Sequence, residues 1–160
     1  MDVSFQIDEL FGAFVSPDAI ELALQTTIDL FGQDLGPDSG LTIIVTDDGT
    51  LRELNRQYRG IDAATDVLSF TNNPDPDFPE VDPEISNHLG DIVIAYPLAS
   101  AQAAARGHRT SDEITLLAVH GALHLLGFDH QTVGAKDKMW AAQDQVMARL
   151  DLSHIKPTEH

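Results

Sequence analysis

The sequence predicts an α+β fold in the mixed α/β range: a small mixed sheet of about four strands covered by about five helices. Three observations predict it. Four short apolar runs, VSFQI (3–7), LTIIV (41–45), VLSF (67–70) and LGDIVIAY (89–96), have strand length and are bounded by turn residues. Five segments repeat apolar residues at helical spacing. Their order is strand, helix, strand, helix, strand, strand, helix, helix, helix, which suits one mixed sheet with helices over it and leaves the order of strands within the sheet open.

Each element has a local cause. VSFQI alternates weakly, as a first strand does. After Ser16-Pro17, Ile20, Leu24, Ile28 and Phe31 recur at helical spacing over 18–31, and the turn-rich loop 32–40 leads into LTIIV. Thr46, Asp47 and Asp48 can cap a helix with Leu51, Leu54 and Tyr58 on its apolar side, which puts Arg52, Arg56 and Arg59 on or near the opposite side. VLSF follows a turn at 60–64. The stretch 72–87 holds four prolines and five acidic residues and is expected to be an exposed loop. After LGDIVIAY, Pro97 opens a helix to Arg106. Thr110 and Glu113 match a capping box for a helix running to Leu126, with Ile114, Leu117, Ala118 and Leu125 as support. A last helix, 133–150, offers Met139, Trp140, Val146 and Leu150 for packing. At 160 residues and 17.4 kDa, a single domain over 1–152 is expected, followed by a polar, frayed tail at 153–160.

Composition excludes several kinds of function. Without cysteine there is no disulfide framework, thiolate metal site or thiol nucleophile, so any metal is held by histidines and carboxylates. The N-terminus lacks a basic region followed by an apolar run, and no stretch approaches a membrane helix. A soluble cytoplasmic protein with no membrane partner is the expectation. With 26 acidic against 9 basic residues, the net charge of −17 opposes undirected attraction to polyanions, and no DNA partner is expected. A local strip of Arg52, Arg56 and Arg59 can still meet a phosphate backbone if the acidic surface lies elsewhere.

The chemistry concentrates at HGALHLLGFDH (120–130). His120 and His124 stand one helical turn apart, and Gly127 supplies a left-handed position that turns the chain so that His130 returns toward the same end. Three imidazoles suit one zinc ion, with nickel a possible substitute, and leave a fourth position for water, as in catalytic sites. Taken singly, each histidine also reads as an ordinary helix-end or surface residue; three together make a shared metal the better reading. Asp129 is either a carboxylate that accepts from a ligating imidazole or orients water, or a solvated turn residue. His88 and His108 are ambiguous, and His154 and His160 read as surface. The zinc-peptidase pattern HExxH stops at its second letter, because Gly121 stands where that chemistry needs its glutamate.

These residues resemble a known family. HGALHLLGFDH, together with NRQYRG (55–60), TDVLSF (65–70), LGDIVIAY (89–96) and the A-x-x-Q-A segment at Ala99–Ala103 followed by Gly107-His108, is similar to the pattern of the YbeY-type rRNA maturation factors, a bacterial and organellar family of metal-dependent endoribonucleases. Phe128 stands where the signature often has tyrosine. The resemblance implies that His120, His124 and His130 are zinc ligands and that Arg59 lines the RNA-contacting cleft. It also implies a substrate of single-stranded or precursor 16S rRNA, and a role in 16S 3′-end maturation and ribosome quality control on the small ribosomal subunit and its proteins. Thr65, Asp66 and Ser69 read equally as turn or strand polar residues and as cleft residues, while Asp91 reads as a structural or a functional carboxylate. Two other classes stay open: a non-catalytic ribosome-assembly factor with a structural metal, and a small zinc peptidase.

Overall fold

The computed structural model describes residues 1–36, 38–71 and 88–156; the acidic loop expected at 72–87 and the tail end 157–160 lie outside these residues. The element order is the expected one: β1 (Asp2–Ile7), a short 3-10 turn (Gly12–Phe14), α1 (Pro17–Phe31), β2 (Gly40–Thr46), α2 (Asp48–Arg59), β3 (Val67–Thr71), β4 (His88–Ala95), α3 (Tyr96–Arg106), α4 (Thr110–Leu125) and α5 (Val133–Arg149). The strands form one sheet in the order β1-β2-β4-β3, with β1, β2 and β4 parallel and β3 antiparallel on the edge. Parallel neighbours need crossovers, which α1 provides between β1 and β2.

Strand alternation decides what covers each face. Leu41, Ile43, Val45, Ile92 and Ile94 point to one side and pack with Ile20 and Leu24 of α1 and Ile114, Leu117, Ala118 and Ala122 of α4. On the other side Ile44, Leu68, Val93 and Ala95 meet Leu51 and Leu54 of α2 and Leu98 of α3. A second core lies behind α4, where Leu116, Val119 and Leu123 meet Met139, Ala142, Val146 and Met147 of α5. Helix α4 is therefore apolar almost all round, and its partly exposed C-terminal end, carrying His120 and His124, is what remains for chemistry. Among the described residues no helix is long and apolar enough to cross a membrane.

Two expectations need correction. The proposed capping box does not form: α4 begins after Arg109 with no side-chain cap, and Glu113 is fully buried instead. Its carboxylate lies 2.6 Å from His108 Nε2 and 3.6 Å from Arg106 Nη1, a pair of nitrogen partners that outcompetes one backbone N–H. His108 thus belongs to a structural cluster at the α3–α4 junction. Second, the chain after Leu152 is docked through Lys156: Ile155 is buried in the core behind α4, and Arg106 donates to the Lys156 carbonyl at 2.9 Å. One apolar side chain in a polar stretch anchors it. Tyr58 keeps to the side of α2 that carries Leu54, as expected, its ring edge-on to Phe70, and is 67 % exposed there.

Candidate metal centre

The end of α4 folds as its sequence dictates. Gly127 takes φ +100°, donates to the His124 carbonyl at 3.0 Å, and is followed by Phe128, whose N–H reaches the Leu123 carbonyl at 3.0 Å. This is the paired Schellman closure that a glycine at this position permits. Phe128 then packs edge-on against Phe31 of α1 at 5.6 Å, fixing the reversal. The turn brings the His130 ring to 5.0 Å from that of His124 and 5.6 Å from that of His120.

The ring nitrogens are sorted by their partners. His120 Nδ1 lies 3.0 Å from Gln143 Oε1, and His124 Nδ1 lies 3.0 Å from the Phe128 carbonyl oxygen. Both partners are acceptors, so both Nδ1 atoms carry the hydrogen and both Nε2 atoms present lone pairs. Those two Nε2 atoms are 3.2 Å apart. Nitrogen ligands about 2.0–2.1 Å from a tetrahedral zinc stand roughly 3.3 Å from one another, so the pair is already spaced for one ion. One nitrogen from each of His120, His124 and His130 lies within 4.8 Å of the others, and exposed His130 has room to close the remaining distance. The three histidines can bind a metal.

Electrostatics favour the metal-competent neutral forms. Burial pushes His120 down to about 4, the neighbouring His124 and His130 push the same way, and the Gln143 bond and Asp66 oppose them. His124 is lowered first by burial and then by His130, with Arg59 adding to it; the Phe128 carbonyl and Asp129 oppose. Trp140 stands edge-on to His120 at 5.7 Å and to His130 at 5.8 Å, an apolar wall on the α5 side.

The other residues singled out in the sequence divide around this cluster. Arg59 ends α2, which is held by a buried Asn55 that donates to the Ala63 carbonyl at 3.0 Å. Among the described residues Arg59 has no ion-pair partner, whereas Arg52 pairs with Asp62, Arg56 with Glu53, Arg106 with Glu113 and Arg109 with Asp112. The expected basic strip is reduced to one available arginine, whose charge reaches His124. Asp129 is exposed and its Oδ1 accepts the Gln131 N–H at 3.2 Å. Ser69 donates to the Gly121 carbonyl at 3.2 Å, buried Asp66 acts electrostatically on His120, and Thr65 is partly buried. Asp91 pairs with His88 at 3.0 Å, and exposed His154 is away from the cluster's described contacts.

Two features escaped the sequence reading. Gln143 is fully buried, and its signal was a polar residue interrupting the apolar stripe Met139, Gln143, Val146 of α5. Gly121 is the other: a Cβ there would meet Ile92 Cγ2 at 2.7 Å and Ser69 Oγ at 3.0 Å. The residue after His120 faces the sheet at van der Waals contact, so this position cannot hold a peptidase glutamate aimed at the metal.

The chain is similar to known proteins in sequence and in fold. The solution structure of a Thermotoga maritima protein shares the fold, with a TM-score of 0.55 at 22 % identity over 99 % of each chain. Proteins named Endoribonuclease YbeY are 42 % identical in Desulforamulus reducens, over 79 % of this chain and 82 % of that one, and 40 % identical in Roseiflexus sp., over 94 % of both. The relative of that name in Moorella thermoacetica is 44 % identical over 72 % of this chain and 75 % of its own. The profile of the family described as Endoribonuclease YbeY matches residues 12–151, and with its three-histidine cluster in place the chain belongs to the YbeY endoribonuclease family.

Proposed function

We propose that this chain is a zinc-dependent endoribonuclease that cleaves single-stranded RNA in cytoplasmic 16S rRNA 3′-end maturation and ribosome quality control, working on the small ribosomal subunit. The observation that carries the metal part of this reading is the 3.2 Å approach of two Nε2 lone pairs whose Nδ1 atoms are engaged elsewhere. Zinc held by His120, His124 and His130 would supply Lewis acidity toward the phosphodiester. Nickel suits the same imidazole donors.

The chain's own residues supply the rest. Arg59, exposed and without an ion-pair partner among the described residues, grips a phosphate oxygen with its planar donors and offsets charge developing there. Asp129 keeps Oδ1 on the Gln131 N–H, which leaves Oδ2 to accept a proton beside the histidines. Trp140 shields one side of the cluster from water. The peptidase alternative loses its support with Gly121, whose Cβ direction is blocked by the sheet.

The test is cleavage of a 16S 3′-end precursor fragment by wild type, His124→Ala and Arg59→Glu, with zinc content measured on each. His124→Ala should lose both zinc and cleavage, and Arg59→Glu should keep zinc while cleaving poorly. Equal trace cleavage in wild type and His124→Ala would assign that activity to a contaminant and favour the assembly-factor reading. End-group analysis then fixes the chemistry, because a 2′,3′-cyclic phosphate would exclude direct hydrolysis.

A further inference from the structure

On the opposite face of the sheet from α4, an open groove of about 680 Å³ lies between α2 and the β3 edge. Its floor is apolar, built by Ile44, Leu54, Leu68 and Val93, and its wall is the edge-on pair of Tyr58 and Phe70, with ring centroids 5.1 Å apart. Arg59 and Asp91 are its charged residues. That volume lies within the range of sites that hold small organic ligands. Tyr58 on the groove's wall is left 67 % exposed.

The groove adjoins the histidine cluster through two residues. Arg59 lines it and acts electrostatically on His124, and Ser69 lines it while donating to the carbonyl of Gly121, the residue after His120. A chain whose phosphate is gripped by Arg59, as proposed above, would run round the β3 edge from the metal end into the groove. The occupant must then be what hangs from a phosphate backbone. We propose that this groove is a subsite for an unpaired nucleobase of the RNA strand, one that packs on the Tyr58–Phe70 wall and is read at its edge by Asp91. A flat ring suits an aromatic wall whatever its identity, and such stacking requires a single strand because the faces of a base inside a duplex are covered by its stacked neighbours. Asp91 can only accept, and its Oδ1 is already turned to His88 Nε2 at 3.0 Å. Its remaining acceptor capacity favours bases that carry an amino group, cytosine among them, over uracil, whose single edge N–H lies between two carbonyl oxygens.

This inference rests on the endoribonuclease reading, and the experiment separates the two. Binding of short labelled oligoribonucleotides is measured for the zinc-loaded protein, using oligo(C), oligo(U) and an abasic ribose-phosphate oligomer of the same length. Wild type should bind oligo(C) about tenfold more tightly than the abasic oligomer, the scale expected of base–aromatic stacking. Phe70→Ala should lose most of that difference with zinc content unchanged. Tyr58→Ala, at an exposed position, should lose part of it and serves where Phe70→Ala fails to fold. Asp91→Asn should narrow the preference of C over U. Equal binding of oligo(C) and the abasic oligomer by a wild type that still cleaves RNA would overturn the subsite alone. Failure to bind any of the three, with no cleavage, would overturn the subsite and the endoribonuclease reading together.

Discussion

Gln143 Oε1 lies 3.0 Å from His120 Nδ1, at the only fully buried polar side chain among the described residues of α5. The bond turns the His120 lone pair at Nε2 toward His124. Gln143→Leu should weaken zinc affinity about 10–100-fold, the usual loss when a partner of a ligating histidine is removed. Gln143→Glu keeps an acceptor and should retain tight binding. Competition with a chromophoric chelator measures both; equal affinity of wild type and Gln143→Leu would remove Gln143 from any positioning role.

Acid should destabilise the metal-free protein in a defined window. His120 sits at about 4 in the folded chain against an ordinary 6.5, so between these values the unfolded chain binds more protons. The associated stability, on the order of 3 kcal/mol, is complete above pH 6.5 and is lost as pH falls toward 4. Urea midpoints of chelated protein across this range check the sign. Zinc should be released over the same acid side, since protons and metal compete for the same nitrogens.

Gly121→Ala should destabilise by about 1–3 kcal/mol, because the new methyl meets Ile92 Cγ2 at 2.7 Å and must push α4 off the sheet. Zinc affinity should fall as well, since His120 precedes this residue. Thermal unfolding measures the first effect and metal titration the second; an unchanged Tm would mean that α4 can shift freely.

RNA binding should depend only weakly on salt. Of the five arginines on α2 and at the α3–α4 junction, Arg52, Arg56, Arg106 and Arg109 are each held by a carboxylate, and Arg59 is the one without an ion-pair partner among the described residues. For one or two neutralised phosphates, log K should fall with log salt at a slope near about −1. Arg59→Glu should bring that slope close to zero and weaken binding. A steep slope that survives Arg59→Glu would place the RNA on another surface.

Much of this was legible before the structure. Local signals were sufficient for the elements: the spacing of Ile20, Leu24, Ile28 and Phe31, the Asp47 cap, and Gly127 at the end of α4 all act within a few residues. The histidine cluster was readable for the same reason, since helical spacing plus one turn places it. What stayed hidden depends on partners far along the chain. Glu113 looked like half of a capping box until His108 and Arg106 were seen to bury it. Ile155 looked like part of a tail until the core behind α4 was seen to take it. Gln143, twenty-three residues from His120, gains its meaning only when α5 lies against α4. The pairing of Arg52 with Asp62 likewise turned an apparent basic strip into a single available cation.

If a metal held by the three histidines performs the cleavage, activity must follow the metal back onto the protein. Protein stripped with chelator and dialysed is mixed with single-stranded 16S precursor RNA, and the cleavage rate is followed as zinc is returned in steps. The stripped wild type should not cleave, recovery should saturate at about one zinc per chain, and His124→Ala should not recover. Full cleavage by stripped wild type, or recovery of His124→Ala alongside it, would rule out cleavage by a metal held in the three histidines.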